Sequence, residues 1–196
     1  MKRELKEYIN SDLFRYTTKI SKKLFIKNLI LNRGFKYMYI YRKCRFYNIN
    51  KNKIKFYFYR IILEIYKRKF SYEISHNTEI GYGFYIGHLG PIIINPHAKI
   101  GNNVNISGGV VIGQQNRGKN KGYPIIGDMV FIGANSIIVG SIKIGNNVLI
   151  APGSYVNFDV PDNSIVVGNP GKIKKDDNAT YGYIGSILEE NNKWKM

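Results

Sequence analysis

The side chains that could do acid–base chemistry in this chain are few, and three histidines, His76, His88 and His97, stand out among them. A neutral imidazole with a pKa of about 6.5 can take a proton from a hydroxyl group at neutral pH. A lone histidine is more often structural than catalytic, so residue type does not choose among the three. The histidines are scattered and Cys44 is the one cysteine, which predicts neither a metal site nor an internal disulfide framework.

A six-residue repeat indicates the elements that must position these side chains. The hexads begin at Ile74 and, after breaks in phase, resume at Ile94 and Ile126, with isoleucine first in all but the last hexad and glycine often second. One apolar residue in six, with three short strands per turn, stacks an aliphatic column inside a triangular prism, and parallel ladders join the coils. Glycine beside the column permits a tight corner. The alternative is an irregular glycine-rich domain with chance repeats, and the phased hexads argue against it.

This pattern resembles the left-handed parallel β-helix of the hexapeptide-repeat acyltransferases over about residues 71–173. The resemblance implies a mainly β fold, with a short N-terminal helical segment and an extended loop from Gln114 to Pro124. We expect three parts: a basic, aromatic helical segment (1–70), the β-helix (71–173) and a C-terminal tail (174–196). The repeat specifies a scaffold and no chemistry. In the family, function lies where two prisms meet in a trimer and where a loop leaves the coil.

The stretch YEISHNTEIGYGFYIGHLGPIIIN resembles the corresponding stretch of serine acetyltransferases and their shorter polysaccharide-modifying relatives. In that family a carboxylate precedes the first hexad and the catalytic histidine follows fifteen positions later, a spacing that Glu73 and His88 share. The resemblance implies that His88 is the general base and that Glu73 orients it, with direct acetyl transfer from acetyl-CoA and no metal. The alternative for Glu73 is a solvated charge. We interpret His76 and His97 as structural or solvated residues.

The resemblance also implies where acetyl-CoA binds. The stretch VVGNPGKIKK is similar to the family's closing segment, in which a Gly-x-Pro turn and a cation end the helix beside the CoA. Other small residues match positions beside the pantetheine arm, although coil corners could need small residues for steric reasons alone. The implied cofactor-binding positions are Gly113, Ala134, Ala151, Gly168, Pro170 and Lys172.

The acceptor site departs from that of serine acetyltransferases. Those enzymes carry an aspartate directly before the catalytic histidine, where this chain has Gly87, and an Arg-His pair in the long loop, where it has Gly122 and Tyr123. A buried ammonium or carboxylate needs charged partners. We therefore expect a saccharide hydroxyl as the acceptor, with Gly87 and Tyr123 in its binding site and Tyr123 stacked on the sugar ring.

The expected enzyme is thus an O-acetyltransferase of capsule or cell-surface polysaccharide biosynthesis. The alternative is the serine O-acetyltransferase of cysteine biosynthesis. We expect a homotrimer with active sites between subunits, in which the long loop walls a neighbour's site. A tolerated surface insertion is the other interpretation of that loop.

The net charge of +17 is concentrated at the N-terminus, where residues 1–70 hold 20 cationic and 4 anionic side chains. The stretch RGFKYMYIYRKCRFY resembles the lead segment of polysaccharide acetyltransferases. Cations among aromatic residues suit an anionic membrane surface, so we expect either contact with the inner membrane face or a helical cap on the first coil. The pattern over residues 54–66 predicts a helix with Phe58, Ile61, Ile62 and Ile65 on one face. A strand is the alternative for the stretch KFYFYRI, because aromatic enrichment also suits a strand.

Two further expectations concern location and partners. The chain has neither a run of about 18 apolar residues nor an apolar signal core, which predicts a cytoplasmic protein. A membrane- or nucleic-acid-binding module on a solenoid scaffold is the alternative from a different functional class. Nucleic acid is disfavoured as a partner because residues 71–196 carry a net charge of only +1.

Overall fold

The computed structural model describes residues 2–187, and four helices precede a β-solenoid in that part of the chain. The helices are α1 (Lys2–Thr17), α2 (Lys22–Leu31), α3 (Arg33–Ile49) and α4 (Lys53–Phe70). Asn32 ends α2 and also begins α3, because its side chain accepts the backbone N–H of Phe35. Asn32 is therefore the junction between the two helices.

Short strands form the solenoid, which begins directly after α4. In chain order they are β1 (Tyr72–Ile74), β2 (Glu79–Ile80), β3 (Tyr85–Ile86), β4 (Ile92–Ile94), β5 (Lys99–Ile100), β6 (Asn105–Ile106), β7 (Val111–Gly113), β8 (Ile125–Ile126), β9 (Val130–Ile132), β10 (Ile137–Val139), β11 (Lys143–Ile144), β12 (Val148–Ile150), β13 (Tyr155–Val156), β14 (Ser164–Val167) and β15 (Lys172–Lys175).

The strands form the three faces of a prism, because each strand pairs in parallel with the strands of the neighbouring coils. Face A is β1-β4-β7-β10-β13, face B is β2-β5-β8-β11, and face C is β3-β6-β9-β12-β14 with β15 antiparallel at its edge. The register aligns equal hexad positions, such as Ile74 with Ile94 and Ile80 with Ile100. The prediction of a left-handed parallel β-helix with an N-terminal helical segment and an extended loop is confirmed.

The first residues of the hexads form the core of the prism. Each is at most 5% exposed: Ile74, Ile80, Ile86, Ile94, Ile100, Ile106, Ile126, Ile132, Ile138, Ile144, Ile150 and Val156. Burying such a side chain contributes about 1.5–3 kcal/mol, so the column is a large part of what holds the coils together.

Two corners of the prism differ in character. The chain passes from face C to face A at the C–A corner, which contains residues 87–91, 107–110, 133–136 and 151–154; the turn 168–170 between β14 and β15 also lies at this corner. It passes from face A to face B at the A–B corner, which contains residues 75–78, 95–98, 114–124 and 140–142.

The helices form a cap on the first coil. Asp12 and Arg42 make a buried ion pair of 2.9 Å, and Arg42 also donates to the carbonyls of Ile80 and Gly81, each at 2.6 Å. Asp12 accepts the backbone N–H of Phe84 at 2.9 Å. These bonds join α1, α3 and the first coil, which is the arrangement of the helical-cap interpretation.

Helix α4 turns an apolar stripe away from this cap. Ile54, Phe58, Ile61 and Ile65 are all more than half exposed, while Leu63 is buried. The exposed face therefore contains three of the four predicted residues, because Ile62 instead packs against the core, and the face has no partner within the described part of the chain. No helix within residues 2–187 is long and apolar enough to cross a membrane.

Candidate active site

A cavity of about 300 Å³ lies where the junction between α2 and α3 meets the C–A corner of the first coil. Its lining includes Tyr16, Arg33, Tyr85 and His88. Among the described residues of that lining, Arg33 is the one permanent cation and no side chain is a carboxylate. The arrangement therefore places a base next to a site that favours an anionic group.

Close approach between α3 and β3 creates this cavity. A Cβ at Gly34 would lie 2.7 Å from the Tyr16 hydroxyl and 2.8 Å from the carbonyl oxygen of Ile86, so only glycine permits the contact. The Tyr16 hydroxyl accepts the Ile86 N–H at 3.0 Å and donates to the Ile86 carbonyl at 3.3 Å. The backbone directly before Gly87 and His88 is thereby fastened to α1.

Glu73 lies in the middle of β1, on the first coil, and His88 lies in the turn that leads from the first coil to the second. The strand β1 pairs with β4, where Glu73 is opposite Ile93. Both side chains are exposed. Within residues 2–187, the ion pairs of 4.0 Å or less do not include one between Glu73 and His88. In a single subunit the carboxylate and the imidazole are thus solvated separately.

A second tyrosine fastens the backbone around Glu73. The Tyr37 hydroxyl lies 2.9 Å from the carbonyl oxygen of Ile74 and 3.2 Å from that of Tyr72. Burial raises the pKa of Tyr37 and of Tyr16 above the ordinary phenol value, so both hydroxyls stay protonated and can donate. A tyrosine hydroxyl therefore bonds to the backbone close to each residue of the predicted His88–Glu73 pair.

Small residues continue along the C–A corner beyond His88. Ala134, Ala151 and Gly168 occupy this corner on successive coils, and the Gly153 N–H bonds to the Ala134 carbonyl at 2.8 Å. A Cβ at Gly108 would lie 2.4 Å from the Leu89 carbonyl oxygen, so this glycine is required by packing. Gly108 was not among the predicted residues, although the double glycine of its hexad is a signal that could have found it.

The other predicted cofactor-binding residues lie in two places. Pro170 belongs to the turn between β14 and β15, and exposed Lys172 begins β15. Gly113 instead ends β7 at the opposite end of face A, where it pairs with Val139. The structure therefore gathers most of these residues at one corner and separates Gly113 from them.

The long loop is attached to its own solenoid at the A–B corner. Gln115 and Gly122 close it as a hairpin through backbone bonds of 3.1 and 3.0 Å. The Asn120 carbonyl accepts the Ser141 N–H at 2.8 Å. The Tyr123 ring lies tilted against that of His97, with 4.8 Å between ring centroids, so within one subunit it lies at the opposite end of face A from Gly87 and His88.

His76 is a structural residue of the A–B corner. It is 6% exposed, and its ring lies 5.3 Å from that of Phe56. Burial, together with the nearby cations Arg60 and Lys67, lowers the pKa of His76 to about 4. Across residues 2–187, no three His, Cys, Asp or Glu side chains come together in a way that could hold a metal ion.

Comparison with known proteins finds relatives that are named serine acetyltransferases. The family described as bacterial transferase hexapeptide (six repeats) matches residues 123–157. Serine acetyltransferase of Bacillus subtilis is 38% identical over 122 residues, which are 62% of this chain and 56% of the relative. Serine acetyltransferase of Staphylococcus aureus strain Mu50 is 37% identical over 131 residues, 67% of this chain and 62% of the relative. The chain thus spans about three fifths of these curated relatives.

Solved structures extend the similarity to the helical cap. Serine acetyltransferase of Neisseria gonorrhoeae in complex with serine is 30% identical, with a TM-score of 0.71, and the match covers 88% of this chain and 69% of that one. The soybean serine acetyltransferase apoenzyme is 27% identical, with a TM-score of 0.73 and coverage of 88% and 69%.

These comparisons correct one expectation from the sequence. The relatives are serine acetyltransferases, so the prediction of a polysaccharide O-acetyltransferase with a saccharide acceptor is wrong, and the alternative is favoured. That prediction depended on charged residues missing at Gly87, Gly122 and Tyr123. It did not consider Arg33, a cation from the helical cap that lines the same cavity as His88.

Proposed function

The chain belongs to the hexapeptide-repeat acyltransferase family, and from this premise we propose that it is an acetyl-CoA-dependent serine O-acetyltransferase. The observation that carries the proposal is the cavity in which His88 and Arg33 occur together at the C–A corner. A base for a hydroxyl and a cation for a carboxylate are what the two ends of serine need.

In the proposed reaction, His88 removes the proton of the serine hydroxyl as its oxygen attacks the thioester carbonyl of acetyl-CoA. The carbon–sulfur bond then breaks, and the departing CoA thiolate takes the proton back from the imidazolium. Glu73, on the first coil, is the carboxylate proposed to stabilise that imidazolium. The products are O-acetylserine and CoA, with no acyl-enzyme intermediate and no metal.

The proposed positions of the two substrates follow the shape of the C–A corner. The pantetheine arm lies along Ala134, Ala151 and Gly168, whose small side chains leave room for it. Exposed Lys172 is close enough in sequence to the Gly168 turn to meet a nucleotide phosphate there. Arg33 binds the serine carboxylate in place of a loop arginine.

We also propose that the enzyme is a homotrimer. The exposed stripe of α4 and two exposed isoleucines on the outer side of face A, Ile93 and Ile137, are the apolar surface that supports this. In the trimer, the A–B corner of one subunit would face the C–A corner of the next, which would bring Tyr123 and Gly113 to a neighbour's site. Native mass spectrometry tests the stoichiometry. A monomer that binds anionic vesicles would instead favour the membrane contact expected from the basic helices.

The activity is tested by incubating the purified protein with acetyl-CoA and L-serine. CoA release is followed with a thiol reagent and O-acetylserine is identified by mass spectrometry. We expect both products, and L-alanine, which has no hydroxyl, should give neither. CoA release that is no faster with L-serine than with L-alanine would contradict the proposal.

A further inference from the structure

We propose that two tyrosines of the helical cap, Tyr16 and Tyr37, are positioning residues that hold His88 and Glu73 in register. The proposal rests on the proposed role of His88 as the base. Neither tyrosine is proposed to touch the reacting atoms, because each acts through the backbone of the first coil.

The first coil needs these bonds because it lies at the edge of the solenoid. Each inner coil is bonded to a coil on both sides, whereas the first coil has a partner on one side only. For example, the Tyr85 and Gly87 N–H groups bond to the next coil, while both polar groups of Ile86 point the other way. Unpaired backbone groups at a sheet edge are costly when buried. The cap therefore supplies side-chain partners where a preceding coil would supply backbone.

Tyr16 holds the residue that is two positions before His88. Its hydroxyl bonds to both the N–H and the carbonyl of Ile86, at 3.0 and 3.3 Å, so it replaces a whole strand partner at this point. Its ring packs against Tyr85 and Phe35, with centroid distances of 4.5 and 6.0 Å. Tyr16 also lines the cavity that contains His88.

The turn that carries His88 has little stiffness of its own. Glycines flank it at positions 87 and 90, and Gly90 has a φ of +142°, a conformation that other residues rarely adopt. Such a turn has many accessible conformations unless its ends are fixed. The bonds from Tyr16 fix the end that enters the turn.

Tyr37 holds the backbone around Glu73, and the helix that carries it also packs against Tyr16. It bonds to the carbonyls on both sides of Glu73, at 3.2 and 2.9 Å. It lies three residues after Gly34 on α3, the glycine that packs against the Tyr16 hydroxyl and Ile86. One helix therefore joins the two attachment points, and the relative position of His88 and Glu73 depends on it.

The test compares three conservative variants, Tyr16→Phe, Tyr37→Phe and Tyr41→Phe. Tyr41 is the matched control, because it is buried on the same helix and its hydroxyl donates to the Thr78 carbonyl at 2.5 Å, at the A–B corner. Since a base misplaced by about 1 Å can cost about 100-fold in rate, we expect kcat to fall about 10- to 100-fold in Tyr16→Phe. Tyr37→Phe should lower kcat less, and KM for both substrates should stay within about twofold in all three variants.

Amide hydrogen exchange gives a readout that does not depend on any acceptor. Exchange at residues 87–90 should be faster in Tyr16→Phe and unchanged in Tyr41→Phe. An equal fall in kcat in Tyr16→Phe and Tyr41→Phe, or unchanged exchange at 87–90 in Tyr16→Phe, would overturn the inference. Absence of serine acetylation by the wild-type protein would instead overturn the proposed function, and the exchange measurement would still decide the role of Tyr16.

Discussion

The C–A and A–B corners are built by the same six-residue repeat and yet offer opposite surfaces. At the C–A corner, coils approach so closely that a Cβ on Gly108 would meet the Leu89 carbonyl at 2.4 Å, and the cavity lined by His88 lies at the first turn of this corner. At the A–B corner, the long loop packs on the coils through Asn120, and the Tyr123 ring lies against that of His97. The C–A corner therefore has a cavity within one subunit, whereas the A–B corner is covered by the chain's own loop.

The comparison also separates histidines that residue type alone could not. His76 at the A–B corner is buried against Phe56, and the ring of His97 lies tilted against that of Tyr123. His88 at the C–A corner lines the same cavity as Arg33. Position on the prism therefore distinguishes the surroundings of the three histidines.

Mixed trimers provide the strongest test of whether the two corners meet between subunits. Two variants are compared. One is His88→Ala, and the other lacks residues 116–121 between the paired Gln115 and Gly122. Each variant should have a kcat about 100-fold or more below that of wild type. Co-expressed, they should regain roughly a quarter of wild-type activity, since some interfaces then combine two intact corners. Activity that stays at the level of the single variants would show that the corners do not form one site.

The charge of the C–A cavity predicts a specific effect on serine binding. Arg33→Gln should raise KM for serine about tenfold, because a charge-assisted bond to a carboxylate is worth about 1.5–3 kcal/mol. KM for acetyl-CoA should not change. Lys36→Gln is the control, since the Lys36 amine donates to the Ile30 carbonyl at the same helix junction. An equal KM for serine in Arg33→Gln and wild type would show that Arg33 does not bind the serine carboxylate.

The A–B corner should respond to pH through stability. Because the pKa of His76 falls from an ordinary 6.5 to about 4 on folding, the unfolded chain binds a proton first as the pH decreases. The stabilisation is full above pH 6.5 and is lost between 6.5 and about 4, by about 1 to 3 kcal/mol. The free energy of unfolding in urea, measured across this pH range, should show this loss for wild type but not for His76→Leu. The same dependence on pH in the two proteins would contradict the role given to His76. His97→Leu should depend on pH in the same way as wild type.

The fold could be predicted from the sequence because the repeat is local. Each buried first residue of a hexad, eleven isoleucines and Val156, signals its own position, so twelve weak signals add to one strong one. The cavity could not be predicted in this way. Tyr16 and Ile86 are 70 positions apart, and no period links α1 to the solenoid. The stripe of α4 shows the same limit, because periodicity identifies a face without showing what covers it.

The central claim is that His88 at the C–A corner, rather than a histidine of the A–B corner, is the general base. The most direct measurement is kcat for acetyl transfer to L-serine in His88→Ala and in His97→Ala. We predict a fall of about 100- to 10,000-fold in His88→Ala and a change of less than about threefold in His97→Ala. Wild-type kcat in His88→Ala, or an equal loss in both variants, would contradict the account.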